Sequence, residues 1–192
     1  MKIALFTLIF VLFASNSRAE TGGARDYIVG VADGIFKTIT DKNIPLAKQK
    51  TMLIERFSGE IDFDWNARAA AGIFWREMND PQRKDFTQNY RDFLIRTWIP
   101  KFQGYRGESY KIPAGEYPED PDALVPIVVK LKDGTNINIE LRVRKKPEGY
   151  KVLDISAEGI SMARTYNAQF TEYMSKNGID ACISYLKSPK NK

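Results

Sequence analysis

Residues 125–144 read Val-Pro-Ile-Val-Val-Lys-Leu-Lys-Asp-Gly-Thr-Asn-Ile-Asn-Ile-Glu-Leu-Arg-Val-Arg, and this stretch decides the fold. Val125, Ile127, Val129 and Leu131 alternate with Pro126, Val128, Lys130 and Lys132. Beyond Asp133-Gly134, Ile137, Ile139, Leu141 and Val143 alternate with Asn138, Glu140, Arg142 and Arg144. Successive side chains of a strand point to opposite faces, so each run has one apolar and one mostly wet face, the pattern of an antiparallel sheet covered on one side. A two-residue loop at Asp133-Gly134 would set Val129 opposite Asn138 and mix the faces. A three-residue loop, Asp133 to Thr135, pairs Leu131 with Ile137, Val129 with Ile139 and Ile127 with Leu141, and keeps every apolar residue on the covered side.

Outward from this hairpin, Pro147-Glu148-Gly149 turns the chain into a strand over Tyr150 to Ile155, and a strand around Glu108 to Ile112 precedes it, for a sheet of about four strands. Before Gly107 the period is helical. Ile28, Val31, Ala32, Ile35 and Ile39 form one stripe, and Leu46, Lys50, Leu53 and Phe57 lie on a short helix after Pro45. Trp65 to Met78 is apolar around much of its circumference (Ala67, Ala69, Ala70, Ala71, Ile73, Phe74, Trp75), which predicts a helix buried on more than one side. Asp80 is placed to cap the next helix, with Pro81 at its first position and Phe86, Tyr90, Phe93, Leu94, Thr97 and Trp98 on one face until Pro100 ends or kinks it. After the strands come helices over Ser161 to about Lys176 and Ile179 to Leu186, separated by Asn177-Gly178. Helices, antiparallel strands, then helices make an α+β fold, helices packed on one sheet face.

The first residues read as an address. Met1-Lys2, the apolar run Ile3 to Ala14 and the small residues Ser17 and Ala19 form a secretory signal peptide, residues 1–19, leaving residues 20–192 as one domain. The run is shorter than the ~20 residues a membrane-crossing helix needs, which disfavours an uncleaved anchor. A lipid-modified N-terminus would need a cysteine at the cleavage point, and the only cysteine is Cys182. The 29 basic and 24 acidic residues give +5, and loss of Lys2 and Arg18 with the leader leaves +3. That charge is mild and scattered, which argues against nucleic acid.

The chain has no histidine. That removes the usual general base at neutral pH, the Ser-His-Asp triad and the commonest metal ligand. Carboxylate chemistry would need a paired site, and the acidic clusters are Asp62/Asp64 and Glu119/Asp120/Asp122, both read as solvated turns. Cys182 is either a reactive thiol or a packing residue. Its stripe with Ile179, Ile183 and Leu186 favours packing. Gly159 either eases the passage from strand to helix or lets backbone approach a ligand, the first being the simpler. Lys130, Lys132, Arg142, Arg144, Lys145 and Lys146 on the wet side suit a solvated face or an anionic partner.

The segment Tyr150-Lys-Val-Leu-Asp-Ile-Ser-Ala-Glu-Gly-Ile-Ser-Met162, followed by Phe170 and Asn177-Gly178-Ile179-Asp180, resembles the C-terminal signature of the MlaC family, the toluene-tolerance auxiliary component of MCE-type ABC transporters. Gly72-Ile-Phe-Trp-Arg76, Pro81-Gln-Arg83, Phe86 through Trp98, and Leu124-Val-Pro-Ile-Val-Val-Lys130 are similar to its central region. The resemblance implies a periplasmic, monomeric phospholipid carrier without cofactor or catalytic residue. It would shuttle lipid between an outer-membrane lipoprotein complex and an inner-membrane MCE-type ABC transporter, maintaining outer-membrane lipid asymmetry. It also implies a curled sheet with an apolar pocket between sheet and helices. The candidate lining is then Ile127, Val129, Leu131, Ile137, Ile139, Leu141 and Val143 with Phe74, Phe93 and Met162, although inward apolar residues most often simply fill a core. Two departures from the family pattern, the short tail Ser188 to Lys192 and the tight Asp133-Gly134 turn, bear on partner docking. The alternatives are a small periplasmic enzyme using a pocket carboxylate, a filled adaptor protein, and a carrier of hopanoid-like lipids.

Overall fold

The computed structural model describes residues 22–103 and 107–188, so the signal-peptide reading of residues 1–19 lies outside the described residues. The helices are α1 (Ala24–Thr40), α2 (Leu46–Glu60), α3 (Phe63–Ala71), α4 (Asp80–Gln103), α5 (Met162–Asn177) and α6 (Ile179–Lys187). The strands are β1 (Gly107–Lys111), β2 (Ala123–Leu131), β3 (Asn136–Lys146), β4 (Gly149–Ala157) and the two-residue β5 (Ile160–Ser161). They pair in chain order, each antiparallel to the next, in one open sheet. The α+β reading holds, with β5 added to the four strands expected.

The β2–β3 hairpin has a three-residue loop, but one residue earlier than the sequence suggested. Gly134 N donates to Leu131 O at 3.0 Å and Leu131 N donates to Thr135 O at 2.8 Å. The loop is therefore Lys132-Asp133-Gly134, a turn closed by Gly134 in the left-handed region at φ 86°. Val129 consequently faces Ile137, Ile127 faces Ile139 and Val125 faces Leu141. The register moves by two, which preserves the parity of the faces, so the apolar residues still share the covered side. In β4 an extra residue, Leu153, stands between Val152, paired with Val143, and Asp154, paired with Arg142. Such a bulge bends its strand. Glu158 (φ 49°) and Gly159 (φ 77°) form the two-residue turn into β5, and a Cβ on Gly159 would meet nothing within 4 Å. That glycine serves the turn.

Two helix readings change. The predicted helix over Trp65 to Met78 stops at Ala71, because Gly72 takes φ 57° and a 3-10 turn, Gly72–Arg76, follows. A side chain could not replace Gly72, since a Cβ there would lie 2.4 Å from Asn167 Nδ2, which donates to Ala69 O at 2.8 Å. Ile73 is consequently exposed. The cap of α4 is Asn79 instead of Asp80. Gln82 N donates to Asn79 Oδ1 at 2.9 Å and Asn79 N to Gln82 Oε1 at 3.1 Å, a reciprocal capping box. α4 continues one turn past Pro100.

Two apolar clusters result. The first joins α2, α3, α4, α5 and α6 around Phe86, Tyr90, Phe93 and Phe170. The second joins Ala24 and Ile28 of α1 to Val125, Ile127, Leu141, Val143 and Val152 of the sheet. Ile61, whose backbone bridges to Val152, packs against both.

Candidate functional site

Between the two clusters lies a cavity of about 430 Å³. Its floor is the covered sheet face: Tyr110, Ile127, Val129, Leu131, Ile137, Ile139, Leu141, Val152, Ile155 and Ala157. Its roof is Val31, Ala32, Ile35, Phe36 and Ile39 of α1, Arg56, Phe57 and Glu60 of α2, Ile61, Trp98, Lys101 and Phe102 of α4, and Met162 of α5. Exposure grades along the strands. Val125 and Val143 are 0% and 1% exposed, Ile127 and Leu141 are 8%, and Val129, Leu131, Ile137 and Ile139 are half-buried. The sheet is thus sealed at the Val125 end and opens toward the Lys132-Asp133-Gly134 loop.

Seven of the ten candidate lining residues face this space: Ile127, Val129, Leu131, Ile137, Ile139, Leu141 and Met162. Phe74, Phe93 and Val143 do not, and the pocket assignment is corrected for them. Phe93 points into the helical cluster, its ring 5.5 Å from that of Tyr166 and 5.7 Å from that of Phe170. Phe74 packs on the same cluster from the 3-10 turn, and Val143 lies under Ala24 and Ile28 in the second. The α1 and α2 walls and Trp98 were missed as lining. The α1 stripe of Val31, Ala32, Ile35 and Ile39 was legible, but periodicity shows that a face is covered without showing by which helix.

Four lining side chains are polar. Glu60 accepts from Tyr27 Oη at 2.8 Å and lies 3.6 Å from Arg56 Nη1. Lys101 Nζ stands 4.5 Å over the Trp98 ring. The Tyr110 hydroxyl donates to Asp33, and burial, with that acceptor adding to it, pushes its pKa up to about 12. A smaller cavity of about 50 Å³ shares the walls Phe57, Trp98, Phe102 and Met162 and adds Asn66, Tyr90, Asp154 and Tyr166. Burial pushes the Tyr90 hydroxyl well above its ordinary value.

The acidic clusters outside the cavity hold the frame. Asp62 caps α3, accepting from Trp65 N at 2.9 Å, and pairs with Lys146. Asp122, its side chain 7% exposed, accepts from Arg144 at 2.6 and 3.1 Å and lies 3.4 Å from Arg142 Nε. Glu119 accepts from Ala24 N at 2.7 Å, the contact that chiefly holds its carboxyl below the usual range, and from the Tyr150 hydroxyl at 2.8 Å. The solvated-turn reading is therefore corrected for Asp62 and Asp122, and the solvated reading for Arg144 and Lys146, whereas Glu119 and Arg142 stay exposed as expected although each has a partner. Among the described residues no group of three or more His, Cys, Asp or Glu could hold a metal.

The family model for MlaC protein matches residues 30–188. The chain belongs to the MlaC family. The MlaC match runs from within α1 to the residue after α6, and so spans every wall of the cavity. Among solved structures, the phospholipid-binding protein from Ralstonia solanacearum, in complex with a phospholipid, superimposes with a TM-score of 0.77. It is 24% identical, and the alignment covers 88% of this chain and 97% of that one, which establishes a shared fold.

Proposed function

We propose that this chain is a periplasmic carrier of phospholipid, released by cleavage of residues 1–19, that moves lipid between an outer-membrane lipoprotein complex and an inner-membrane MCE-type ABC transporter. The observation that carries the reading is the cavity itself: about 430 Å³, with all but four of its described lining side chains apolar. Apolar cavities of ~150 Å³ stay dry and take up benzene, six carbons. By that scale this space holds roughly seventeen carbons, one long acyl chain or the inner halves of two. Family membership and the lipid bound by the Ralstonia relative support a diacyl ligand.

Each methylene moved out of water is worth ~0.8 kcal/mol, so two chains amount to on the order of 20 kcal/mol. A bilayer offers nearly the same. A carrier needs only a dry space of matching quality, and the exchange then runs near balance in either direction. No bond is made or broken, which suits a site whose one lining carboxylate among the described residues, Glu60, is engaged by Tyr27 and Arg56. Among the described residues no helix is long and apolar enough to cross a membrane, in keeping with a carrier that leaves both membranes. The reading is tested by extracting the purified protein with organic solvent and identifying the lipid by mass spectrometry. Phospholipid is expected. A hopanoid-like lipid instead would change the cargo, and repeated absence of lipid, with no uptake from phospholipid vesicles, would overturn the reading.

A further inference from the structure

Two of the four polar side chains in the cavity lining are cations, Arg56 from α2 and Lys101 from α4. Among the described residues Glu60 is the only lining carboxylate, so two positive charges and one negative leave one positive charge facing an apolar space. Lys101 has no carboxylate within ion-pair distance among the described residues, its ammonium resting over Trp98 at 4.5 Å. Lys101 is exposed and the Arg56 side chain 36% exposed, so both charges stand where the apolar space meets water, the place a charged headgroup takes when its chains are buried.

Arg56 is also deliberately placed. A Cβ on Gly34 of α1 would lie 2.4 Å from its Cζ and 2.5 Å from its Nη2. A glycine inside a helix is unfavourable, and here it gives the guanidinium room to lie across α1. Glu60, one turn along α2, lies 3.6 Å from the guanidinium and is itself held by Tyr27 of α1. A planar guanidinium so oriented suits an oxyanion of phosphate geometry, with the ammonium as a second point charge.

We infer that Arg56 and Lys101 bind the phosphodiester of the lipid whose chains fill the cavity, and that Gly34 and Glu60 position Arg56. The inference rests on the carrier reading and adds headgroup recognition to it. Chains alone would enter the cavity, and the phosphate makes a phospholipid the preferred cargo over an uncharged diacyl lipid. Among the described lining residues the match is one net positive charge to one phosphodiester charge.

The test offers the full chain vesicles containing phosphatidylglycerol and diacylglycerol with the same acyl chains and measures both lipids taken up. Wild type is expected to favour phosphatidylglycerol. In Arg56→Gln and in Lys101→Gln, the ratio of phosphatidylglycerol to diacylglycerol uptake falls about tenfold, the loss expected for a charge-assisted bond. Gly34→Ala keeps or raises the melting temperature, because the clash is with the far end of a flexible side chain, yet lowers the same ratio. Lys84→Gln, an exposed site on α4 with the same loss of charge, leaves the ratio alone. An unchanged ratio in both cavity variants overturns the inference, as does an equal fall in Lys84→Gln, which would mean general attraction to the vesicle. Saturable binding of inorganic phosphate that lipid loading does not displace would assign the cations to a free anion and also overturn it. If Arg56→Gln does not fold, Lys101→Gln decides. If wild type takes up neither lipid, the carrier reading itself fails, a different result from an unselective uptake of both.

Discussion

The helical cluster and the sheet-side cavity are built from equally apolar sequence, yet one is solid and the other hollow. In the helical cluster Phe86, Phe170, Cys182 and Leu186 are 0% exposed and Tyr90 is 1%. Phe170 meets the rings of Tyr90 at 5.9 Å and 87° and of Phe93 at 5.7 Å and 77°, the edge-on geometry aromatic rings prefer. Ala67, Ala70 and Ala71, all 0% exposed, let α3 come close. On the other side Val129, Ile137 and Ile139 remain half-buried under α1 although the strand pattern marks them as inward. Close packing therefore requires rings that interlock with small residues opposite. Aliphatic side chains on a sheet held off its roof by fixed contacts leave a space. Those contacts are the Ile61 backbone bridge to Val152, the ion pair of Asp62 with Lys146, and the Glu119 bond to the start of α1.

The sharpest way to break this contrast is to remove a large side chain from each region. Phe170→Ala empties an interlocked site and should cost about 3–5 kcal/mol, a fall in melting temperature of roughly 6–20 °C for a domain of this size. Ile139→Ala enlarges a space that already exists and should cost no more than about 1 kcal/mol. Equal losses in thermal or denaturant unfolding would mean that the cavity collapses in solution. A smaller effect on stability, with a large one on cargo, is expected from filling. Ile139→Trp adds bulk where room exists, so its stability should stay within about 1 kcal/mol of wild type while co-purified lipid falls sharply in mass spectrometry. The same enlargement at Phe170 has no free space and should cost about 1–3 kcal/mol.

The two regions also differ in how far the sequence discloses them. The alternation from Val125 to Val143 places the β2 and β3 walls of the cavity, because parity survives the two-residue error in register, while Tyr110 of β1 and Val152, Ile155 and Ala157 of β4 were missed. Met162 was legible from the apolar side of the helix that begins at Ser161. Phe74 and Phe93 were assigned to the cavity because nothing in their spacing distinguishes a ring that meets other rings from one that faces a space. Phe93 shares its helical face with Trp98, yet only Trp98, further along α4, reaches the cavity. The break at Gly72 depends on Asn167, ninety-five positions away in the chain, so no local pattern announces it. Arg56 as a lining residue is invisible for a similar reason: its place depends on Gly34 of another helix.

A chemical probe should sharpen the contrast further. Burial pushes the Cys182 thiol up to about 12, so near neutral pH it is both protonated and enclosed. A thiol reagent should modify native Cys182 no faster than the chain unfolds, with or without lipid. Ile139→Cys in a Cys182→Ala background should react quickly when empty and slowly when loaded. Fast labelling of native Cys182, or labelling at residue 139 that lipid does not slow, would contradict the division into solid and hollow halves.

The smallest effect concerns acid. The helical cluster is joined by rings and aliphatic side chains, whereas the roof of the cavity is tied down at Ala24 by a carboxylate. Glu119 is held below its ordinary 4.5, chiefly by the Ala24 N–H. A lowered carboxyl stabilises the fold above the unfolded value, and that contribution disappears as pH falls through the lower folded one. Mild acid below 4.5 should therefore loosen the start of α1 before it affects α5 and α6. Hydrogen exchange at the amides of Tyr27 and Ile28, compared with those of Phe170 and Cys182, reads this directly. Glu119→Gln should show the faster α1 exchange already at neutral pH and little further change with acid, since its amide accepts more weakly and does not titrate. If α1 and α5 amides respond to acid together in both proteins, the roof and the helical cluster open as one unit, and the hollow half has no independent hinge at Glu119.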